Sequence, residues 1–362
     1  MKKVLSVLLL LAMLLCFSSA ALAVNEDVEG ELVIYSSAYP EVLDMLDEAL
    51  KKEFPNLTPG VNGSFFFYSG SGKLISRISG EMGPDRNQPL ECDMLMMAEP
   101  SYSLEMKDYG YLHSFEIENA DTLFRFPYDE EGYWYPVRVC NMVLAYNPEA
   151  VDYWAAKGVT IPKTFKDFAS DPSLKGYISM GDPMTSGTAY AAVVGLLGKY
   201  GDEYLNWLAA NEVKRESGST AIANLQDNQC AALMILEESI LKFLYDENET
   251  NHKNIHNIEV IYPEDGVVLI PSNVMIVAEE YSKNANIEAA EAVARWFATE
   301  DGQAAIIRGF MHSTLAGMKD CPYHSVDTDE LIQKDIGVDW IKAYRERDSI
   351  LSKWTTTVTT AR

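Results

Sequence analysis

The sequence has few basic residues for its size, with 29 Lys and Arg against 54 Asp and Glu among 362 residues and a formal charge of −25. A protein this acidic repels nucleic acids and anionic membrane surfaces at long range, so neither is expected as a partner. Because 48% of the residues are hydrophobic and only 23% are charged, the composition is that of a folded protein. The length exceeds what a single core usually reaches, so two domains or lobes are predicted.

Beyond the first residues, the sequence has no apolar run of membrane-spanning length. Lys2 and Lys3 precede an apolar stretch at 4–17, and the small-residue motif Ala21-Leu22-Ala23 follows it. This order is typical of a secretory signal peptide, and the stretch is shorter than the about 20 residues that a transmembrane helix needs. We therefore predict that residues 1–23 are a cleaved signal peptide and that the mature protein is periplasmic.

Cysteine is scarce. A lipoprotein signal usually has a small residue directly before the cysteine that carries the lipid. Leu15 stands there before Cys16, so a lipid anchor at Cys16 is the less favoured alternative. The four remaining cysteines have wide, irregular spacings that fit no zinc pattern: Cys92, Cys140, Cys230 and Cys321. Disulfides are possible in an oxidising compartment, but the apolar sequence around these residues is more typical of buried free thiols.

Catalytic motifs are missing as well. There is no Gly-x-Ser-x-Gly elbow and no His-Glu-x-x-His motif, and the five histidines are scattered. Only His252 and His256 have a spacing that suits a shared metal ion, and their Asn-rich surroundings are more typical of solvated side chains. The sequence thus predicts no catalytic residue and no cofactor, and we do not expect an enzyme.

What the sequence does contain is a repeated order of strand, polar turn and helix. The β-rich runs at 31–35, 64–68 and 92–97 are each followed by a polar turn and a helical segment. Such units predict an α/β fold with a largely parallel sheet, whose ligand lies outside the carboxyl ends of the strands. Two longer apolar runs, at 137–146 and 267–277, are predicted to be strands that cross between the lobes.

Three of the polar turns place hydroxyl residues and glycine directly before a helix. They are Ser36-Ser37, Ser69-Gly70-Ser71-Gly72 and Thr185-Ser186-Gly187-Thr188. Each would offer unpaired backbone N–H groups beside hydroxyl donors, although Ser, Thr and Gly are also ordinary capping residues. Their recurrence in two separate α/β units favours an anion site.

Glu237 and Glu238 directly follow the apolar strand predicted at 231–236. Two interpretations stay open at this point. The carboxylates could bind a cation, an amine or sugar hydroxyls, or they could form the acidic first turn of a helix, which the helix dipole favours.

In the order of its short motifs, the chain resembles periplasmic solute-binding proteins of ABC importers, in the cluster of ferric-ion-binding proteins and their organophosphate-binding relatives. The resemblance spans nearly the whole mature chain. The matching segments are 32–37, 70–72, Arg77-Ile78, Glu81, 98–101, 143–147, Asp182-Pro183, Ser186-Gly187, Ile270-Pro271, Lys283-Asn284, Ala289-Ala290, 300–303 and Ser313-Thr314.

The resemblance implies a type II periplasmic-binding-protein fold, with two lobes that are each a mostly parallel sheet flanked by helices and that close over a ligand in the cleft between them. We predict an N-terminal lobe at 24–138 plus 271–320 and a C-terminal lobe at 139–270 plus 321–362. The implied partners are a small anionic ligand and the membrane permease of an ABC transporter, and a monomer is expected.

The resemblance also bears on the ligand. Ferric-ion binders of this cluster carry two adjacent tyrosines where Glu237 and Glu238 stand, so relatives that bind phosphate or phosphonate compounds are favoured. The expected anion contacts are Ser36, Ser37, Ser71, Gly72, Thr185, Ser186, Gly187 and Thr188. Glu99, Glu237 and Glu238 would hold the hydroxyls of a sugar phosphate or the amine of an aminophosphonate.

The alternative is a ferric-ion receptor in which Glu237, Glu238 and a bound anion hold the metal. A secreted enzyme or a chemosensory subunit on the same fold is a more distant alternative.

Overall fold

The computed structural model describes residues 25–244 and 257–359. The predicted signal peptide at 1–23 and the His252–His256 pair lie outside the described residues. Within them, no helix is both long enough and apolar enough to cross a membrane.

The framework is one large mixed β-sheet. Its strands pair in the order β4-β2-β5-β12-β7-β10-β8-β9, with β11 on β7 and β6 on β12, while β1 and β3 form a separate pair. The strands are β1 Gly30–Leu32, β2 Ile34–Ser36, β3 Leu57–Pro59, β4 Phe66–Tyr68, β5 Met94–Ala98, β6 Leu112–His113, β7 Tyr135–Tyr146, β8 Ile178–Met180, β9 Lys214–Arg215, β10 Ala232–Leu236, β11 Glu259–Ile261 and β12 Val268–Val277.

The sheet is parallel at its two ends and antiparallel in its middle. We call β4-β2-β5 the first half-sheet and β10-β8-β9 the second, and the neighbours within each half run parallel. Between the halves lie the two longest strands, β7 and β12, which pair antiparallel. The predicted long strands are confirmed. Because β12 also pairs with β5 of the first half and β7 with β10 of the second, the two predicted sheets form one continuous hydrogen-bonded sheet.

Helices cover the sheet. They are α1 Pro40–Glu53, α2 Ser71–Met82, α3 Pro100–Asp108, α4 Ala120–Leu123, α5 Val151–Ala156, α6 Phe165–Ser170, α7 Gly187–Tyr200, α8 Glu203–Ala210, α9 Gly218–Gln226, α10 Glu237–Leu244, α11 Ile287–Phe297, α12 Glu300–Arg308, α13 Thr328–Lys334, α14 Trp340–Arg345 and α15 Arg347–Trp354. The predicted α/β fold is therefore confirmed.

The apolar residues form two large cores. One packs around Leu46, Phe65 and Phe297, and the other around Trp154, Tyr190 and Trp354. The C-terminal helices α14 and α15 contribute Ala343 and Trp354 to the second core. The exact lobe boundaries given above stay a prediction.

The four cysteines that follow the predicted signal peptide are free and buried. Burial raises the pKa of each thiol, and at Cys92 nearby carboxylates raise it further. The prediction of buried free thiols is confirmed.

Candidate functional site

A cavity of about 130 Å³ lies between the two half-sheets. Its walls come from segments that follow the carboxyl ends of strands on both sides, with Arg138 of β7 between them. The lining residues are Ser37, Tyr39, Tyr68, Gly70, Ser71, Ala98, Arg138, Thr185, Ser186, Thr188, Leu236 and Glu238.

Helix N-termini surround this cavity. Tyr39 directly precedes α1, Ser71 begins α2, Ser186 caps α7 and Glu238 lies in the first turn of α10. The strands end where these helices begin, so the polar turns between them meet at one place. Because the N-terminal end of a helix carries partial positive charge and unpaired N–H groups, the cavity suits an anionic group.

Arg138 is the basic residue of the cavity wall. It is 2% exposed, and its Nη1 donates to the sulfur atoms of Cys140 at 2.9 Å and Met311 at 3.0 Å. Sulfur is a weak acceptor, and the Glu238 carboxylate lies 3.7 Å from Nη1. The Arg138 Nε atom has no hydrogen-bond partner within the described part of the chain. A buried guanidinium with such poor acceptors can gain strongly from an added oxyanion.

The two sides of the cavity touch each other. The Ser71 Oγ atom accepts a hydrogen bond from the Gly187 backbone N at 2.7 Å. Beside it, the Gly72 N–H donates to the Thr185 carbonyl at 3.3 Å. A Cβ atom at Gly72 would lie 2.6 Å from that carbonyl oxygen, so only glycine permits this approach. The half-sheets are therefore closed against each other across the cavity.

The structure brings six of the predicted site residues to the cavity wall: Ser37, Ser71, Thr185, Ser186, Thr188 and Glu238. Gly72 and Gly187 lie next to it and join its two sides. Ser36 is fully buried, and its Oγ accepts from the Ala38 backbone N at 3.2 Å, so it shapes the turn below the cavity. Glu99 and Glu237 are not among the lining residues, and each is held elsewhere.

Glu238 faces the cavity and is 2% exposed. Its Oε1 atom has no hydrogen-bond partner among the described residues. Burial raises the pKa of its carboxyl, and the nearby Arg138 opposes this effect without cancelling it. The carboxylate thus offers a free acceptor to a ligand.

Glu237 points away from Glu238, so the two adjacent carboxylates do not form the pair that the sequence suggested. Its Oε2 atom accepts from Asn141 Nδ2 at 2.9 Å and lies 2.8 Å from His312 Nε2, while its Oε1 atom contacts the Tyr262 hydroxyl. Burial favours the neutral acid, but the hydrogen bond and charge of His312, together with His324 and the Tyr262 hydroxyl, outweigh burial and lower the pKa of Glu237 to about 2. Glu237 is therefore occupied behind the cavity wall.

Glu99 is also occupied. Its two carboxylate oxygens accept from Arg347 Nη2 at 3.0 and 2.7 Å, and the same nitrogen donates to Ser101 Oγ at 2.9 Å. The backbone of Glu99 has φ +84°, a value that few non-glycine residues adopt. Glu99, which was expected to contact the ligand, instead joins the start of α3 to the C-terminal helix α15 through Arg347.

This pair makes stability depend on pH. Burial raises the pKa of Glu99 to about 7, and Arg347 opposes the effect only in part, with Glu105 and Tyr190 as the other titratable neighbours. Between the ordinary carboxyl pKa and this value, the native state holds a proton that the unfolded chain has lost. Stability therefore falls as pH rises through that window and levels off above it.

We expect Glu99→Gln to remove this dependence. Relative to the variant, the wild type should lose unfolding free energy on the order of 3 kcal/mol between pH 4.5 and pH 8, measured by urea denaturation. Glu203→Gln, at an exposed helix start, is the control and should leave the pH dependence intact. A constant difference between wild type and Glu99→Gln across this range would contradict the assignment.

A smaller cavity of about 80 Å³ adjoins the first one, and Tyr39, Ser186, Thr188 and Leu236 line both. Its remaining walls are mostly apolar and include Met142, Met180 and Met234. Glu216 is its charged residue and accepts hydrogen bonds from Ser179 and Asn224, each at 2.9 Å. A ligand with its anionic group near Arg138 can extend in this direction.

Sequence reasoning missed Arg138, Tyr39 and Tyr68. The available signal for Arg138 was its position as the single charge in the apolar run at 137–146. Long charged side chains are rarely buried without a partner, so a lone arginine in a buried strand is itself a candidate ligand contact.

The fold is similar to that of solved periplasmic binding proteins. The structure of AfuA from Actinobacillus pleuropneumoniae, with exogenous fructose 6-phosphate bound, shares 21% identity and a TM-score of 0.73 over 91% of this chain and 99% of that chain. Iron-bound HitA from Pseudomonas aeruginosa shares 19% identity and a TM-score of 0.72 over 90% of this chain and 99% of that one. These similarities confirm the predicted two-lobed, type II periplasmic-binding-protein fold.

The sequence itself defines the family. Residues 92–331 match the bacterial extracellular solute-binding proteins, and the chain belongs to that family. An uncharacterized protein of Haemophilus influenzae is 26% identical over 192 residues. That match spans about half the length of both chains, at 51% of each. The resemblance drawn from the motifs is thus confirmed, and the family and the similar structures are binding proteins rather than enzymes.

Proposed function

We propose that this protein is the periplasmic receptor of an ABC importer and that it captures a small solute bearing a phosphate or phosphonate group by closure of its lobes. The observation that carries this proposal is Arg138, a buried guanidinium that faces a cavity rich in hydroxyls and has, among the described residues, only sulfur acceptors within 3.0 Å. The family membership supports solute binding, and a membrane permease is the partner that such a receptor requires.

The lining supports an oxyanion with several oxygens. Ser37, Ser71, Ser186 and Thr188 offer hydroxyls around Arg138, and the N-terminal ends of α2 and α7 add partial positive charge. A phosphoryl group has several acceptor oxygens, and converging N–H and O–H donors suit it. Among proteins of this fold, AfuA has been solved with fructose 6-phosphate bound, which is a ligand of this class.

Glu238 supports a ligand with two different ends. A carboxylate beside a dianion repels it unless the carboxylate contacts another part of the molecule. Glu238 has a free acceptor and lies on the same wall as Leu236, where the two cavities adjoin. Hydroxyls of a sugar phosphate or the amine of an aminophosphonate would therefore lie against Glu238.

Ser186→Ala and Glu238→Ala should each weaken binding, by about tenfold or more, because each removes a hydrogen bond to a charged or polar end of the ligand. The matched control for the serine is Ser217→Ala. Both serines cap a helix, Ser186 by accepting from Ala189 N and Ser217 by accepting from Thr220 N, but Ser217 does not line the cavity. Isothermal titration calorimetry would give the affinities. Near-normal affinity in both cavity variants would contradict the assignment.

The function itself is tested by a thermal-shift screen of the metal-stripped mature protein. The compounds are sugar phosphates, aminophosphonates, inorganic phosphate, polyamines and ferric citrate, and metal content is measured before stripping. A ligand that binds the folded state raises the midpoint of unfolding. We expect shifts with phosphate or phosphonate compounds. A shift with ferric citrate alone, together with co-purified iron, would replace this proposal with the ferric-ion receptor.

A further inference from the structure

A second polar cluster lies behind the wall of the cavity. Glu237, His312 and His324 each offer one potential ligand atom, and these atoms lie within 4.8 Å of one another. They come from the start of α10 and from the segments that follow α12. We infer that these three residues form a metal-ion site that is separate from the solute cavity, since none of them lines it.

The donor set indicates the kind of ion. Two imidazole nitrogens and one carboxylate oxygen suit Zn²⁺ and similar borderline divalent ions, whereas Mg²⁺ and Ca²⁺ prefer oxygen ligands alone. The cluster lacks the pair of tyrosine phenolates that a tyrosine-based ferric site uses, so its metal chemistry is different. A fourth ligand is available from the Tyr262 hydroxyl, which contacts Glu237, or from water.

The surrounding hydrogen bonds orient His312 as they do in metal sites. Its Nδ1 atom lies 2.8 Å from the Thr328 hydroxyl, which in turn contacts the Asp320 carboxylate. Its Nε2 atom is therefore directed at Glu237 Oε2, 2.8 Å away. Outer contacts of this kind fix the ring of a metal-bound histidine and raise its basicity. Asn141 similarly holds the Glu237 carboxylate in place.

His324 has unused binding capacity. Its Nε2 atom lies 2.9 Å from the Phe310 carbonyl, while its buried Nδ1 atom has no hydrogen-bond partner in the described part of the chain. Its ring stacks on that of His312, with the centroids 3.9 Å apart. Leaving a buried polar nitrogen unpaired costs free energy, which coordination to a metal ion would remove.

An ion can reach the cluster from the side of His324, which is partly exposed, whereas Glu237 and His312 are each 1% exposed. On binding, the ion would lie between Glu237 Oε2 and His312 Nε2, and the His324 ring would turn out of its stacking position toward it. The ion would then join α10 to the segment at 312–324. In a chain whose four described cysteines are free, such a link would stabilise the fold.

The test is a zinc titration of the mature protein, purified without a histidine tag and stripped with EDTA, in buffer that contains no phosphate compound. We expect one Zn²⁺ per chain by calorimetry and elemental analysis, and a higher midpoint of thermal unfolding. Co²⁺ in place of Zn²⁺ should give the visible absorption of a four-coordinate site. His324→Ala and, independently, Glu237→Gln should each weaken Zn²⁺ binding by about tenfold or more.

The matched control is His113→Ala. His113 also lies 2.8 Å from a glutamate, Glu291, but this pair belongs to no cluster of three ligands among the described residues. Its loss should leave zinc binding unchanged. The absence of stoichiometric uptake would overturn the inference. Unchanged zinc uptake by His324→Ala would also overturn it, provided that the unfolding midpoint of the metal-free variant equals that of the wild type. A loss of zinc uptake only when His252 and His256 are replaced would overturn it as well.

Discussion

Replacing Arg138 with methionine should abolish high-affinity solute binding, with a loss of about 100-fold or more, because the buried guanidinium is the positive charge of the cavity wall. Methionine keeps most of the side-chain volume, but it leaves the buried Glu238 carboxyl without its basic neighbour, and breaking a buried ion pair destabilises a fold. The thermal midpoint of the ligand-free variant should therefore fall, and its affinity is measured well below that midpoint. Calorimetry with the phosphorylated compound that gives the largest thermal shift measures the effect.

Arg215→Met is the matched control for this variant. Arg215 is a partly buried arginine of β9, and its Nη1 atom donates to Thr359 Oγ1 at 2.8 Å and lies 3.9 Å from Asp182. It does not line the solute cavity, so its loss should leave affinity unchanged. The affinity of Arg138→Lys should lie between those of the wild type and Arg138→Met, since lysine keeps the charge but loses the planar fork of donors. Near-normal affinity in Arg138→Met would exclude the proposed anion site.

Gly72→Ala should prevent full closure of the two lobes. It should lower the affinity for the solute by a factor similar to that expected for Arg138→Met. The new Cβ atom would lie 2.6 Å from the Thr185 carbonyl oxygen and 2.9 Å from two further backbone atoms of Thr185, which cannot move as a flexible side chain can. The substitution lies in α2, where alanine is the better helix former by about 1 kcal/mol, so the fold itself should not be weakened. The variant therefore distinguishes an effect on lobe closure from an effect on folding.

Small-angle X-ray scattering, with and without the solute, checks this expectation. The radius of gyration of the wild type should fall when the solute binds, whereas that of Gly72→Ala should stay at the open value. Gly80→Ala is the control, because it places the same change in the same helix and its Cβ atom would meet nothing within 4 Å. A Gly72→Ala variant that compacts normally would show that the close approach to Thr185 is dispensable.

Much of the framework could be predicted from local pattern. The long apolar runs became β7 and β12, and the polar turns came together because the strands before them end at the same edge of the sheet. Six of the eleven expected site residues line the cavity for that reason. Strand and turn patterns extend over a few residues, so the sequence contains them directly.

What the sequence could not predict are the directions and distant partners of single side chains. Successive residues in a helix point roughly 100° apart, so the adjacent Glu237 and Glu238 face different surroundings. The partner of Glu99 is Arg347, which lies 248 residues further along the chain, and His312 lies 75 residues from Glu237. No spacing rule relates residues so far apart, because their contact depends on how whole elements pack.

The buried cysteines have a practical consequence. All four thiols have raised pKa values, and a thiol that is both buried and protonated reacts poorly with alkylating reagents. A new cysteine at one exposed position in each predicted lobe, such as Lys52 and Tyr153, could therefore be labelled with maleimide dyes while the native thiols stay in place. Fluorescence energy transfer between the dyes would then follow the opening and closing of individual molecules in real time.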